Sequence, residues 1–195
     1  MSKIIKKFTR RVPKWKPRVK PIEQSEATQE QIEALKITPS NTKISEYVLT
    51  LAHDVESLSI RSPLFNAIMY DEGGLSRSER ELGAIAASMV NHCIYCAAVH
   101  ADRHAKLEKN TDATDELFKN GIKANLSERD RAIFNFAYKL SETPPTTTAE
   151  EIFELRNQEL DDLEIIDLVF SSALFGWANR LMHVLGDPVS SELEK

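Results

Sequence analysis

A chain of 195 residues, 42% of them apolar, is long enough for one packed domain and too apolar to be disordered throughout. Its net charge of −5 is unevenly spread: residues 1–20 hold nine Lys/Arg and no acid, so the remaining 16 basic and 30 acidic residues leave the body at −14. An acidic body argues against nucleic-acid binding by the globular part, and no apolar run approaches the ~20 residues that span a bilayer.

Residues 1–20 read as a basic, flexible N-terminal arm, with residues 21–195 as a single all-α domain. Pro13, Pro17 and Pro21 oppose a long helix in the arm. Its apolar residues (Ile4, Ile5, Phe8, Val12, Trp15) are too few for a core, which points to a solvated or partner-draped tail. The charged, proline-broken start is no secretory leader. Two closely spaced cysteines are no disulfide framework, and in such a chain they point to redox chemistry or metal binding in the cytoplasm.

Beyond the arm the punctuation is helical. Ala27–Leu35 is a short polar helix, a turn lies at Pro39-Ser40-Asn41, and helix signals run from about Lys43 to Ser57. Ser62-Pro63 reads as an N-cap with proline at the first helical position, opening a helix that Gly73-Gly74 stops after Tyr70. Ser76-x-x-Glu79 is a capping box that starts a helix through Val90. Leu82–Val90 is apolar on nearly every face, so that helix should lie deep. Asn91-His92 breaks it, and a second helix runs from near Cys93 to Glu108. After a loop at Asn110–Asp115 comes a short helix to Gly121. Ser127-x-x-Asp130 opens another to Leu140, Pro144-Pro145 ends that segment, and Thr148-x-x-Glu151 caps the next. Asp161 or Asp162 caps a last helix to about residue 185, so rich in apolar residues that it is either central or faces another subunit. No β-alternation of useful length occurs.

The chemistry concentrates in Glu81–His100, ELGAIAASMVNHCIYCAAVH. With Cys93 in the first turn of a helix, Cys96 and His100 project within roughly 60° of it, and His100 is one turn from Cys96. Free N–H groups and the helix dipole favour thiolate there. A neighbouring imidazole can move the thiol proton, and Glu81, from the deep preceding helix, can orient the imidazole or act through water. This is what a thiol peroxidase needs. Inert core cysteines are one competing reading. Zinc on Cys93, Cys96, His100 and His104 is another, but along one helix these span about 16 Å of rise, beyond the reach of one ion with ~2 Å bonds. Covalent haem needs histidine after the second cysteine, where Ala97 stands. Tyr95 is either packing or a donor to substrate, and Trp177, Asn179 and Arg180 are candidates to approach the site from the last helix.

The pattern E-x11-C-x2-C-x3-H, as Glu81, Cys93, Cys96 and His100, resembles the active-site signature of alkyl hydroperoxidase D-like proteins, within the carboxymuconolactone decarboxylase-like superfamily. The likeness covers about residues 60–187 and is nearest to the peroxidase-related branch. It implies an all-α fold of helical hairpins, assembled as a homotrimer or hexamer. It also implies reduction of a hydroperoxide substrate, with no bound cofactor and electrons returned by an external dithiol, lipoyl or thioredoxin-like. Carried over, Cys96 would attack the peroxide, Cys93 would close the disulfide, and His100 with Glu81 would relay protons. The best-known branch has histidine directly before the second cysteine; this chain has Tyr95, on which the choice between peroxide reduction and plain disulfide exchange turns. A disulfide reductase or redox adaptor, and a non-enzymatic oligomeric sensor or binding protein, are the alternative functions.

Overall fold

In the computed structural model, which describes residues 3–36 and 44–190, the body is built of α-helices. The chain order is β1 (Lys14–Pro17), a 3-10 turn (Gln24–Glu26), α1 (Gln29–Lys36), α2 (Glu46–Leu51), α3 (Val55–Tyr70), α4 (Arg77–Val90) and α5 (Ile94–Glu108). There follow α6 (Asp112–Asn120), a 3-10 turn (Gly121–Lys123), α7 (Glu128–Ser141), α8 (Ala149–Asn157), α9 (Asp162–Leu185) and β2 (Gly186–Val189). The all-α expectation holds. The expected turn at Pro39-Ser40-Asn41 and helix start at Lys43 lie outside the described residues.

The capping signals mark real helix starts. Ser76 with Glu79, Thr148 with Glu151, and Asp161 with Glu164 form reciprocal capping boxes on α4, α8 and α9, and the Ser127 side chain accepts from Asp130 N–H on α7. Arg129 ties three of these ends together. It donates through Nε to Glu79 (2.5 Å) and through Nη2 to Glu164 (2.8 Å), so the N-termini of α4, α7 and α9 share one guanidinium.

One helix start differs from expectation. Ser62-Pro63 is not an N-cap: Asp54 is, accepting from Ser57 N–H at 3.0 Å, and α3 runs straight through Pro63. Leu58, Ser62, Phe65 and Met69 form its buried stripe, spaced by three and four residues across the proline, while Pro63 faces solvent. Packing that stripe outweighs the ~3 kcal/mol an interior proline costs. The same cap divides the expected Lys43–Ser57 helix into α2 and the start of α3.

Helix α4 is the axis of the fold. Every residue from Arg80 to Met89 is buried, with α5, α7 and α9 packed around it. Gly83 lets α9 come close: a Cβ there would lie 3.0 Å from Leu168 Cδ1 and 3.1 Å from Ser172 Oγ. Arg80, itself buried, donates to the carbonyls of Asp71 and Gly73 (2.9 and 2.7 Å) and to Asp167 (2.8 Å), locking the α3–α4 loop onto α9. The last helix proves to be both central and surface-forming. One face is buried on α4, while Leu163, Ile166, Phe170 and Trp177 expose an apolar stripe on another.

Residues 3–20 do not stand free of the body, which corrects the reading of a solvated arm. Strand β1 pairs antiparallel with β2, Trp15 opposite Pro188. Trp15 is buried edge-on against Tyr47, with ring centroids 5.7 Å apart, and Phe8 stacks on Phe118 at 5.6 Å. Arg18 donates to the His183 carbonyl at 2.7 Å and is held twice by Asp187, placing a cation on the open carbonyls that end α9. Strand partners from opposite ends of the chain leave no local pattern, which is why this small sheet was not expected.

Candidate active site

Cysteine 93 owes its position to a sharp turn. His92 takes a left-handed backbone (φ 53°), and Cys93 N–H donates to the Ser88 carbonyl at 2.8 Å, so α5 returns antiparallel along α4. His183 Nε2 bonds the Asn91 carbonyl at 2.7 Å and pins this turn to α9. Cys93 is the N-cap of α5 and Cys96 lies in its first turn. Both are buried free thiols, with their sulfurs 2.9 Å apart.

The hairpin also sets Glu81 against His100. The carboxylate is fully buried, and its Oε2 accepts from His100 Nδ1–H. Its other oxygen pairs with Arg77 Nη2, one turn back on α4, and lies 4.0 Å from Arg103 Nη1. Burial pushes the Glu81 carboxyl up, but His100, Arg77 and Arg103 together outweigh it and hold the group below its ordinary value. For His100 burial dominates over Glu81, and the imidazole is held below 6.5. The pair is therefore carboxylate and neutral imidazole. Since Nδ1 carries the proton, Nε2 keeps its lone pair. Phe175 closes over the ring, its centroid 4.0 Å away.

The two thiols differ. Cys93 is lowered, first by its bond with the Cys96 thiol and then by the Cys96 backbone N–H, against burial. Cys96 is raised, first by that same bond and then by burial, with Asn179 acting the other way. Of the two thiols it is therefore Cys93, at the helix N-terminus, that ionises first.

Cys96 and His100 stand in the wall of a cavity of about 450 Å³; Cys93 does not. Tyr95 and Arg103 complete the α5 side, Tyr47 comes from α2, Arg61 and Phe65 from α3, and Phe175 and Met182 from α9. The α4–α5 hairpin carries all four residues expected from the sequence, with Cys96 and His100 in the cavity wall and Cys93 and Glu81 bonded to them from behind. Of the last-helix candidates, Asn179 reaches the site: it is buried, donates to Ser88 Oγ at 3.1 Å and influences Cys96. Trp177 and Arg180 are exposed and stay outside the cavity lining. His104 does not join the cysteines, and among the described residues no three His, Cys, Asp or Glu are placed to share a metal ion. Arg77, Arg103, Tyr47 and Arg61 were not anticipated. The first two could have been found from spacing, four residues before Glu81 and three after His100; the others come from distant helices.

Residues 56–139 match the model of the carboxymuconolactone decarboxylase family. An alkylhydroperoxidase AhpD core, a peroxidase-related protein from Ralstonia eutropha JMP134, superposes with a TM-score of 0.76 at 25% identity, covering 92% of this chain and 94% of that one. These matches support the AhpD-like, carboxymuconolactone decarboxylase superfamily. A peroxidase-related protein from Silicibacter sp. TM1040 shares this superfamily fold at 23% identity and a TM-score of 0.73, covering 90% of this chain and 94% of its own. The debrominase Bmp8 shares it at 18% identity and 0.75, covering 89% and 92%, so the AhpD-like scaffold carries more than one chemistry. Comparison with curated protein sequences finds no match. Among the described residues no helix is long and apolar enough to cross a membrane.

Proposed function

We propose that this protein is a thiol peroxidase that reduces organic hydroperoxides through a Cys93–Cys96 disulfide cycle. The observation that carries the reading is the placement of Cys96 beside His100 in one cavity wall, with Cys93 2.9 Å from its sulfur and Glu81 bonded to the far side of the imidazole.

The unequal thiols suit unequal roles. Cys96 meets the cavity but holds its proton, so it needs a base, and His100 Nε2 is the free basic atom. As the proton moves to Nε2, the Cys96 sulfur attacks one peroxide oxygen. The O–O bond breaks, Cys96 becomes the sulfenic acid, and the departing alkoxide takes the proton back from His100 as the alcohol. Glu81 stabilises the transient imidazolium. Cys93, already inclined to thiolate, then attacks the Cys96 sulfur; hydroxide leaves, is protonated to water, and the disulfide forms. Closing it requires the sulfurs to approach from 2.9 Å to a bonded ~2.05 Å, a small shift in a first helical turn. An external dithiol, lipoyl or thioredoxin-like, supplies two electrons and two protons to restore both thiols. We also infer a homotrimer or hexamer, for which the apolar face of α9 offers an interface.

Alkylation of the thiols before and after one equivalent of hydroperoxide tests the reading, with Cys93→Ser and Cys96→Ser run beside the wild type. Wild type should lose both alkylatable thiols, Cys93→Ser should oxidise once without recycling, and Cys96→Ser should not react. If both wild-type thiols stay alkylatable at micromolar peroxide, the proposal fails. Tyr95 favours one other reading. Burial raises its phenol, so it stands in the cavity wall as a neutral donor where a further relay histidine would serve peroxide chemistry. Turnover of a lipoamide-like disulfide without any peroxide turnover would select a disulfide reductase instead.

A further inference from the structure

The cavity in front of Cys96 has a charge pattern the cysteine chemistry does not require. Lys36, Arg61 and Arg103 line it and, among the described residues, no Asp or Glu does, although the body of the chain is strongly acidic. Lys36 is paired with Glu33 at 2.7 Å, and Arg103 faces Glu81 at 4.0 Å. Arg61 has no carboxylate partner among the described residues. Its Nε is buried without a hydrogen bond, and the guanidinium lies over the Phe65 ring, 4.4 Å from the centroid. Tyr47 is only 8% exposed, and its hydroxyl is likewise buried and unpartnered. The two groups are near enough to influence each other's ionisation. A half-buried guanidinium whose buried Nε is unbonded, beside a buried hydroxyl without a partner, is costly unless something arrives to satisfy them.

We propose that Arg61 and Tyr47 form a carboxylate-binding end of the cavity, so that the substrate is an organic hydroperoxide bearing a carboxylate. The inference rests on the peroxidase reading for its reactive end. Guanidinium and phenol would donate to the carboxylate oxygens. The apolar walls of Phe65, Phe175 and Met182 would hold a carbon body, and the peroxide would reach Cys96 and His100. A single unpaired cation suits a monoanion better than a phosphate, and 450 Å³ lies within the roughly 300–1,000 Å³ of small-molecule sites.

The test compares cumene hydroperoxide with its para-carboxylate on the full-length protein. The carboxylate should be favoured in kcat/KM by about tenfold or more, the size of a charge-assisted hydrogen bond. Arg61→Gln should bring the ratio near unity, Tyr47→Phe should lower it in part, and Arg61→Lys should retain most of it. A wild-type ratio near unity, or one that Arg61→Gln leaves intact, overturns the inference. A second arm needs no turnover: calorimetric titration of the Cys96→Ser protein with 4-isopropylbenzoate and 4-isopropylbenzamide. If the benzoate binds no tighter than the amide, the carboxylate end does not exist. If it binds tighter through Arg61 while neither hydroperoxide oxidises the wild-type thiols, the peroxidase reading falls and the anion site stands.

Discussion

Glu81 shows how one buried carboxylate can set the character of a site. It has an imidazole on one oxygen and arginines toward the other, and all three come from helices α4 and α5. Its charge favours the imidazolium, while burial disfavours it more strongly, so His100 rests neutral and basic. Glu81→Gln should therefore slow thiol oxidation and move the acid limb of the pH–rate profile to lower pH, because removing the charge lowers the His100 pKa further. A limb that stays in place would mean that Glu81 does not act through His100. His100→Ala should cost about 10²–10⁴-fold in the rate of peroxide oxidation, the usual range for a positioned acid–base group. Glu81→Ala belongs to stability as well: stripping the buried partner from Arg77 should cost about 3–5 kcal/mol in denaturant unfolding. At this scale the sequence was informative, since Glu81, Cys93, Cys96 and His100 were all readable from spacing along two adjacent helices. What spacing could not supply was the difference between the thiols, which depends on burial and on which sulfur accepts the shared proton.

Between elements, two glycines mark contacts that a methyl group would test. At Gly83 an added side chain meets Leu168, Ser171 and Ser172 at once. Gly83→Val should destabilise by about 1–3 kcal/mol through overpacking of α4 against α9, measurable by denaturant unfolding. At Gly186 a Cβ would sit 2.5 Å from Trp15 Cζ2 and 2.7 Å from the Lys16 carbonyl. Gly186→Ala should thus expel Trp15 and loosen β1, seen as red-shifted Trp15 emission in a Trp177→Phe background and faster proteolysis near residues 14–20. Unchanged emission would show that the arm is not docked through Trp15. The misread start of α3 is instructive here. Ser62-Pro63 carries a strong local start signal, yet the stripe Leu58–Ser62–Phe65–Met69 was also present in the sequence and reports the packing that wins. The arm offers no such warning, because its partners lie at the other end of the chain.

Across the whole molecule, buried ionisable groups set the response to acid. His100 and His104 are both held below 6.5, chiefly by burial. Glu79, where ion pairing with Arg129 outweighs burial, and Glu81 are held below 4.5. In each case the unfolded chain takes up protons first as pH falls, so stability rises with pH. Melting temperature should decline as pH drops below about 6.5 and again below about 4.5. His104→Gln should flatten part of the first decline, and a melting curve level from pH 7 to 5 would contradict the neutral state of both histidines.

From its sequence alone the chain declares an all-α fold, most of its helix ends and the set Glu81, Cys93, Cys96 and His100. Caps, helical periodicity and an i, i+3, i+7 spacing act over a few residues and need no partner from elsewhere. Three things required the tertiary structure: the docking of the arm on β2, the recruitment of Tyr47, Arg61 and Phe175 to the cavity, and the choice of Cys96 rather than Cys93 as the thiol that meets it. Each depends on helices distant in sequence closing on one another, and on the burial that follows, which no local pattern encodes.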